Sequence, residues 1–274
     1  AMFFFEAGKT YDVRIDYSQS PDGRKNATEM NYWAKDNPSL RLEWAMPSDA
    51  DIIAGQIAPY REQLADADAI VFVGGTDHNL DCEGRDRTSM QFPQGQTELI
   101  RQVSAINGKT IVVLMHGAPI DLPWIDRVPA VLDMFFPGME GGTAMADILF
   151  GDADPSGRLT FSWPERLEDS PVYELATQDV DNVNYEDSLM VGYRYFDTKR
   201  VTPRYEFGYG LSYTTFDYSK MKVKKDGDNC VVTLHVKNTG SRDGAEVVQI
   251  YVGQKNCRYT RPVHELKAFD KVFL

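Results

Sequence analysis

The sequence predicts an α/β protein with a mostly parallel sheet, flanked on both sides by partial all-β modules. Three observations carry this. From about residue 48 to 165, apolar strand-like runs alternate with amphipathic helical runs, the pattern of a parallel sheet covered by helices. The runs Ala69–Val73 and Thr110–Met115 are apolar or small throughout, as expected for strands buried on both faces. Before and after this block the periodicity falls to two, the signature of half-buried strands.

In chain order, Tyr11, Val13, Ile15 and Tyr17 alternate with polar neighbours, and Ser39–Trp44 repeats the alternation after a loop bearing Gly, Asn and Pro. Residues 1–46 therefore read as the trailing strands of a β module. Ile52, Ile53, Ile57, Tyr60 and Leu64 recur at helical spacing ahead of the strand at 69–73, which Gly74 and Gly75 are expected to terminate. Gln94–Ile106 is an amphipathic helix with Leu99, Ile100, Val103 and Ile106 on one face, and Asn107-Gly108 reads as its C-cap. Thr110–Met115 is the next strand, Val128–Phe136 a third, and Glu140–Phe150 a helix stopped by Gly151. Residues 166–216, rich in Tyr, Asp and turn formers, read as a connecting segment packed on the α/β domain of residues 47–165. From 217 to 274 the period of two returns. Val231–Val236 and Glu246–Val252 flank a turn and read as consecutive strands of a truncated sandwich.

Composition narrows the function. The chain has 274 residues, 42% hydrophobic and 26% charged, with a net charge of -12. That charge disfavours nucleic acid and anionic membrane as partners, and no apolar run approaches the roughly 18 residues of a membrane span. Neither end reads as a natural terminus, so the chain is expected to be an excerpt of something longer. Cys82, Cys230 and Cys257 make no short-spaced metal pair, and neither a metal nor a cofactor is implied. Cys82 reads as a small, partly buried residue rather than a nucleophile, and Cys230 with Cys257 is a candidate pair in an oxidising compartment. Asn26-Ala27-Thr28 is a glycosylation triplet of a kind that arises by chance. The compartment stays open between the extracellular or periplasmic space and the cytoplasm. The chain lacks a Gly-x-Ser-x-Gly elbow, a His-Glu-x-x-His helix and a phosphate loop, and Gly74-Gly75 lacks the third glycine of a dinucleotide site.

The densest chemistry lies in Asp77-His-Asn-Leu-Asp-Cys-Glu-Gly-Arg-Asp-Arg87, which leaves the carboxyl end of the first apolar strand. Open α/β sheets place ligand sites there. A solvated, charge-rich surface loop is the plainer reading. The residues that follow decide between them. Glu83-Gly-Arg-Asp-Arg87, Pro137-Gly-Met-Glu-Gly-Gly-Thr-Ala144, Asp147-Ile-Leu-Phe-Gly-Asp152, Asp154-Pro-Ser-Gly-Arg-Leu159, Val191-Gly-Tyr-Arg-Tyr195 and Phe207-Gly-Tyr-Gly-Leu-Ser-Tyr213 occur in this order. Together they resemble the C-terminal half of glycoside hydrolase family 3, the β-glucosidase and β-xylosidase family. Lys237-Asn-Thr-Gly240 through Arg261-Pro-Val-His-Glu-Leu-Lys267 resembles the fibronectin type III-like module of that family, and residues 1–46 resemble the end of its PA14 module.

The resemblance implies a flavodoxin-like α/β sandwich from a retaining exo-β-glycosidase acting on β-glucosides or oligosaccharides. Glu83 is then the acid/base. The Asp nucleophile belongs to an N-terminal (β/α)8 barrel that has no counterpart in this chain, so the chain alone is expected to hydrolyse little. Arg85 stands where the family usually places Phe or Tyr, which favours a polar or acidic leaving group. Asp77 and Asp81 act to raise the pKa of Glu83 by like charge, whereas Arg85 and Arg87 act to lower it. For Asp86 and Arg87 a role in tying the loop is preferred. His116, with Asp121, reads as either pocket rim or satisfied loop histidine, and Trp124 as either a sugar platform or core. Glu140 reads as a charge at a helix start. Self-association is open. The rival reading is a non-catalytic carbohydrate-binding or interaction fragment.

Overall fold

A computed structural model describes residues 48–84, 87–93, 95–173, 185 and 187–274. The strands expected in 1–46 lie outside the described residues, as do Arg85, Asp86 and Gln94. Residues 47–82 and 86–274 form one compact unit, and Glu83 and Gly84 are grouped outside it. α1 (Asp49–Ile57) begins at Ser48, whose hydroxyl accepts from the Asp51 amide, satisfying one of the donors that open any helix. Pro59 lacks an amide hydrogen, so the helical run breaks into a 3-10 turn before α2 (Arg61–Asp66). Ile53 and Ile57 are buried with Val103, but Tyr60, expected on the same face, is 58% exposed because the turn redirects it.

β1 (Ile70–Gly75), β2 (Thr110–Met115) and β3 (Ala130–Asp133) form a parallel sheet in that order, with Ile70 opposite Thr110 and Ile111 opposite Ala130. The predicted α/β class and parallel sheet are therefore present. β2 is buried on both faces, with Val112 and Val113 fully enclosed. β1 departs from expectation. Phe72 faces the core, whereas Val71 and Val73 are 45% and 44% exposed, so its apolar run covers only one occupied face. Gly74 and Gly75 lie inside the strand rather than after it. A Cβ on Gly75 would stand 1.6 Å from the Met115 carbonyl oxygen. The Gln96 side chain lies against Gly74, where a Cβ would stand 2.2 Å from its amide oxygen, and it accepts from the Gly75 amide and donates to the Gly75 carbonyl, both at 2.9 Å.

α3 (Gln96–Ile106) presents Ile100 and Val103 to the core. It ends at Asn107 in an extended conformation, not at a left-handed glycine. The Asn107 amide donates to the carbonyls of Leu64 and Ala67 and its oxygen accepts from the Lys109 amide, so one side chain ties α2 to the start of β2. β3 is shorter than expected, ending before Phe135, which has a φ of 51°. α4 (Gly141–Phe150) closes on Gly151 at φ 82°, as predicted. Glu140 occupies its N-cap without a side-chain bond to the helix backbone and accepts from the Thr143 hydroxyl instead.

The connecting segment returns to the α/β layer. Trp163 bridges to Tyr205 in backbone pairing, and its indole donates to the Ile120 carbonyl. α5 (Tyr193–Lys199) follows. β4 (Phe216–Asp226) pairs with β5 (Asn229–Asn238), and β6 (Ala245–Val252) with β7 (Glu265–Phe273), each antiparallel. Consecutive β5 and β6 thus belong to different sheets. All three cysteines are free, so Cys230 and Cys257 are not paired.

Candidate active site

The loop from Thr76 to Gly95 leaves the carboxyl end of the parallel sheet, beside the loop that follows β2. Asp77 starts it with a turn. Its backbone carbonyl accepts from the amides of Leu80 and Asp81, and its carboxylate accepts from the amide and side chain of Asn79. These bonds, led by the Asn79 side chain, hold the exposed Asp77 carboxyl below its usual range. Glu83 is exposed in a turn whose next residue, Gly84, takes a φ of 74°, a conformation open to glycine at little cost. Arg85 lies outside the described residues.

Asp81 and Arg87 flank that turn in sequence and bind each other. The Arg87 guanidinium is 3.4 Å from the Asp81 carboxylate and also donates to the carbonyls of Ala118 and Ser89. The second Asp81 oxygen accepts from the Thr76 hydroxyl and, at 3.0 Å, from the Gly117 amide. Burial pushes the Asp81 carboxyl up, but the Thr76 and Gly117 hydrogen bonds and the Arg87 charge together outweigh it and hold it below the ordinary range. The sequence reading gave Arg87 a loop-tying role and overlooked Thr76, Gly117 and the use of Asp81 as its partner. An acid and a base six residues apart in a short loop were the available signal.

His116 follows β2 and is fully buried. Its Nε2 lies 3.1 Å from Asp133 Oδ1 without hydrogen-bond alignment, and the ring meets the Trp163 ring edge-on at 5.0 Å. Trp124 is 1% exposed and packs against Phe92 in the same core. Of the alternatives the sequence left open, Trp124 takes the core position, and His116 is enclosed beside it in the packing, so neither ring has a free face in this chain. Asp121 is partly buried, which raises its carboxyl, with Arg87 opposing and Glu168 adding to the rise. Among the described residues no group of three or more His, Cys, Asp or Glu is placed to hold a metal ion, and no helix is long and apolar enough to cross a membrane.

Comparison with known proteins gives this arrangement a context. The chain is 41% identical over 223 residues to Beta-glucosidase BoGH3A of Bacteroides ovatus, covering 78% of this chain and 30% of that protein. It is 45% identical over 210 residues to Thermostable beta-glucosidase B of Acetivibrio thermocellus, covering 75% of this chain and 28% of that protein. In structure it resembles the GH3 beta-glucosidase of Bifidobacterium adolescentis, with a TM-score of 0.78 at 36% identity over 86% of this chain and 34% of that one. The Kluyveromyces marxianus beta-glucosidase in complex with glucose gives 0.76 at 38% identity, over 80% of this chain and 26% of that one. The chain thus spans about 30% of the length of the curated relatives. The glycosyl hydrolase family 3 C-terminal domain matches residues 7–213 and the fibronectin type III-like domain matches residues 246–274. With the first match extending over most of the chain, this protein belongs to glycoside hydrolase family 3, with a C-terminal domain of that family and a fibronectin type III-like match after it.

Proposed function

We propose that the chain is the acid/base-bearing part of a retaining exo-β-glycosidase that removes terminal β-linked glucose. The observation that carries this is Glu83, an exposed carboxylate in a Gly-x-Asp-Arg setting after the first strand of a parallel sheet. The curated relatives, named as beta-glucosidases, support the sugar class. Residues 1–46 are the end of a PA14-like module, 47–165 the α/β sandwich, 166–216 a connecting segment and 217–274 the start of the fibronectin-like module. An N-terminal (β/α)8 barrel supplies the Asp nucleophile.

Retention requires two carboxyl groups about 5–5.5 Å apart across the scissile bond. In the first step the nucleophile attacks the anomeric carbon while Glu83 gives its proton to the departing oxygen. In the second, Glu83 takes a proton from water as that water attacks the glycosyl-enzyme. The cycle begins with proton donation, so the protonated carboxyl is the form that acts in the first step. By the family resemblance Arg85 and Asp77 are candidates for substrate binding, and an arginine at position 85 favours a polar or acidic aglycone. His116 and Trp124 support these loops from within the core.

The test is Glu83→Ala in the full-length protein, assayed on a dinitrophenyl β-glucoside, whose leaving group departs without a proton. The expected outcome is rapid glycosylation, a stalled second step, and turnover restored by azide with β-glucosyl azide as product. Unchanged turnover places the proton donor elsewhere. Absence of activity in the unmutated protein on every aryl glycoside favours a carbohydrate-binding role.

A further inference from the structure

We infer that a cavity between the connecting segment and strands β4 and β6 is a sugar-binding site that takes a single neutral pyranose unit. This site goes beyond the acid/base role of Glu83 and does not depend on it. The cavity measures about 510 Å3, within the roughly 300–1,000 Å3 of small-molecule sites. All of its lining residues belong to the compact unit of 47–82 and 86–274. Gln249 and Tyr251 project into it from one face of β6, two residues apart, as strand alternation requires. Ser162, Glu206, Tyr209 and Tyr218 also line it.

Some aromatic rings here serve packing alone. Tyr193 stacks on Phe207 and on His264, and Tyr251 meets it edge-on. Tyr209 and Tyr218 differ. Tyr209 stacks on Tyr205 at 4.7 Å yet stays 42% exposed. The Tyr218 hydroxyl donates to Glu246 at 2.7 Å, while that residue is 47% exposed. Rings fixed in this way lose little freedom when a ligand packs on them, and the C–H face of a pyranose is an apolar partner for them.

The polar groups are of both kinds. Burial pushes the Tyr251 hydroxyl up to about 12, so it stays protonated at neutral pH and donates to the Gln249 amide oxygen. The Gln249 amide nitrogen lies against Gly208, where a Cβ would stand 2.3 Å from it, and it has no acceptor among the described residues. Asp197 is engaged by His264 at 2.9 Å. The Glu206 carboxylate and the hydroxyls of Tyr209 and Ser162 have no hydrogen-bond partner among the described residues. An amide donor, a carboxylate acceptor and two hydroxyls suit a sugar, whose hydroxyls each donate and accept. A cation would use the rings and the carboxylate but leave the amide nitrogen unpaired. Glu206 and Asp197 repel an anion.

The experiment is hydrogen–deuterium exchange on the full-length protein, read at residues 206–210 and 247–251. D-glucose, a thio-linked cello-tetrasaccharide that resists hydrolysis, and tetramethylammonium chloride are titrated in turn. Glucose should slow exchange in both segments, and tetramethylammonium should not. Tyr209→Ala and Glu206→Ala should each shift half-maximal protection about tenfold or more to higher glucose, with exchange across β1 to β3 unchanged. Glu206 is exposed and unpaired, so its variant tests the site even where Tyr209→Ala fails to fold. Equal protection by the two sugars at equal concentration identifies a free monosaccharide as the ligand, and stronger protection by the tetrasaccharide identifies a chain end; either supports the site. Protection by neither sugar, protection unshifted in both variants, or protection by tetramethylammonium at the glucose concentration would overturn it. Because local exchange is read rather than turnover, those outcomes are separable from a failure of the Glu83 assignment.

Discussion

Gly117 sits where a side chain would press on the loop it supports. A Cβ there would stand 2.9 Å from the Phe136 ring and 3.4 Å from Asp81 Cβ. Phe136 is exposed and has room to turn, so Gly117→Ala should fold, at a loss of about 1 kcal/mol, read from the urea midpoint. The Asp81 carboxylate is the more sensitive neighbour. Its pKa is held below the ordinary value of about 3.9, so on acidification the unfolded chain binds this proton before the folded one does. Its contribution to stability is therefore complete above about pH 5 and is lost as the pH falls through the depressed value. The stability difference between parent and Asp81→Asn should be constant from about pH 5 to 7 and shrink below about pH 4, in urea titrations at each pH. Asp77 shows the other limit. Its carboxylate is depressed in the same direction but is fully exposed, and it is held by Asn79 within its own turn.

At the scale of elements, two side chains do work that no periodicity announces. Gln96 opens α3 and closes β1 by pairing with both polar groups of Gly75. Gln96→Leu should destabilise by about 1–3 kcal/mol, because two partly buried backbone groups lose their partners. Asn107 secures α2 and the start of β2 through three bonds, and Asn107→Gly should lower the thermal midpoint by several degrees, checked by calorimetry. Both residues were visible in the sequence, but only as a helical Gln and a C-cap. The helices and strands themselves were legible because burial repeats with the period of the element that creates it. Their ends were less so: Pro59 split the first helix, and β3 ended at Asp133, two residues before Phe135 turns to positive φ.

Across the whole chain, the motifs that mark the family mostly serve as seams. Tyr193 and Thr198 of α5 accept from the amides of Leu266 and Val263, Asp197 lies 2.9 Å from His264, and the rings of Tyr193 and His264 stack. The Val191-Gly-Tyr-Arg-Tyr195 and Arg261–Lys267 motifs therefore interlock. Asp154 joins the layers in the same way, accepting from the Ser212 hydroxyl and the amides of Tyr213 and Ala245. Asp154→Ala should raise hydrogen exchange at Tyr213 and Ala245 by tenfold or so while leaving β1 to β3 protected. Protection lost throughout would mean that the two layers unfold as one.

The sequence alone determined the α/β class, the order of the central elements and the place of Glu83 after the first strand, because these depend on residues close together in the chain. Tertiary structure decided the rest. It left one face of β1 uncovered, buried His116 and Trp124, and joined Asp81 to Gly117, 36 residues away. Such outcomes depend on which distant backbone comes to lie beside a side chain, and a local pattern carries no record of that. The charge that read as solvated loop or catalytic cluster found its partners only where the fold brought the Gly117 amide beside Asp81.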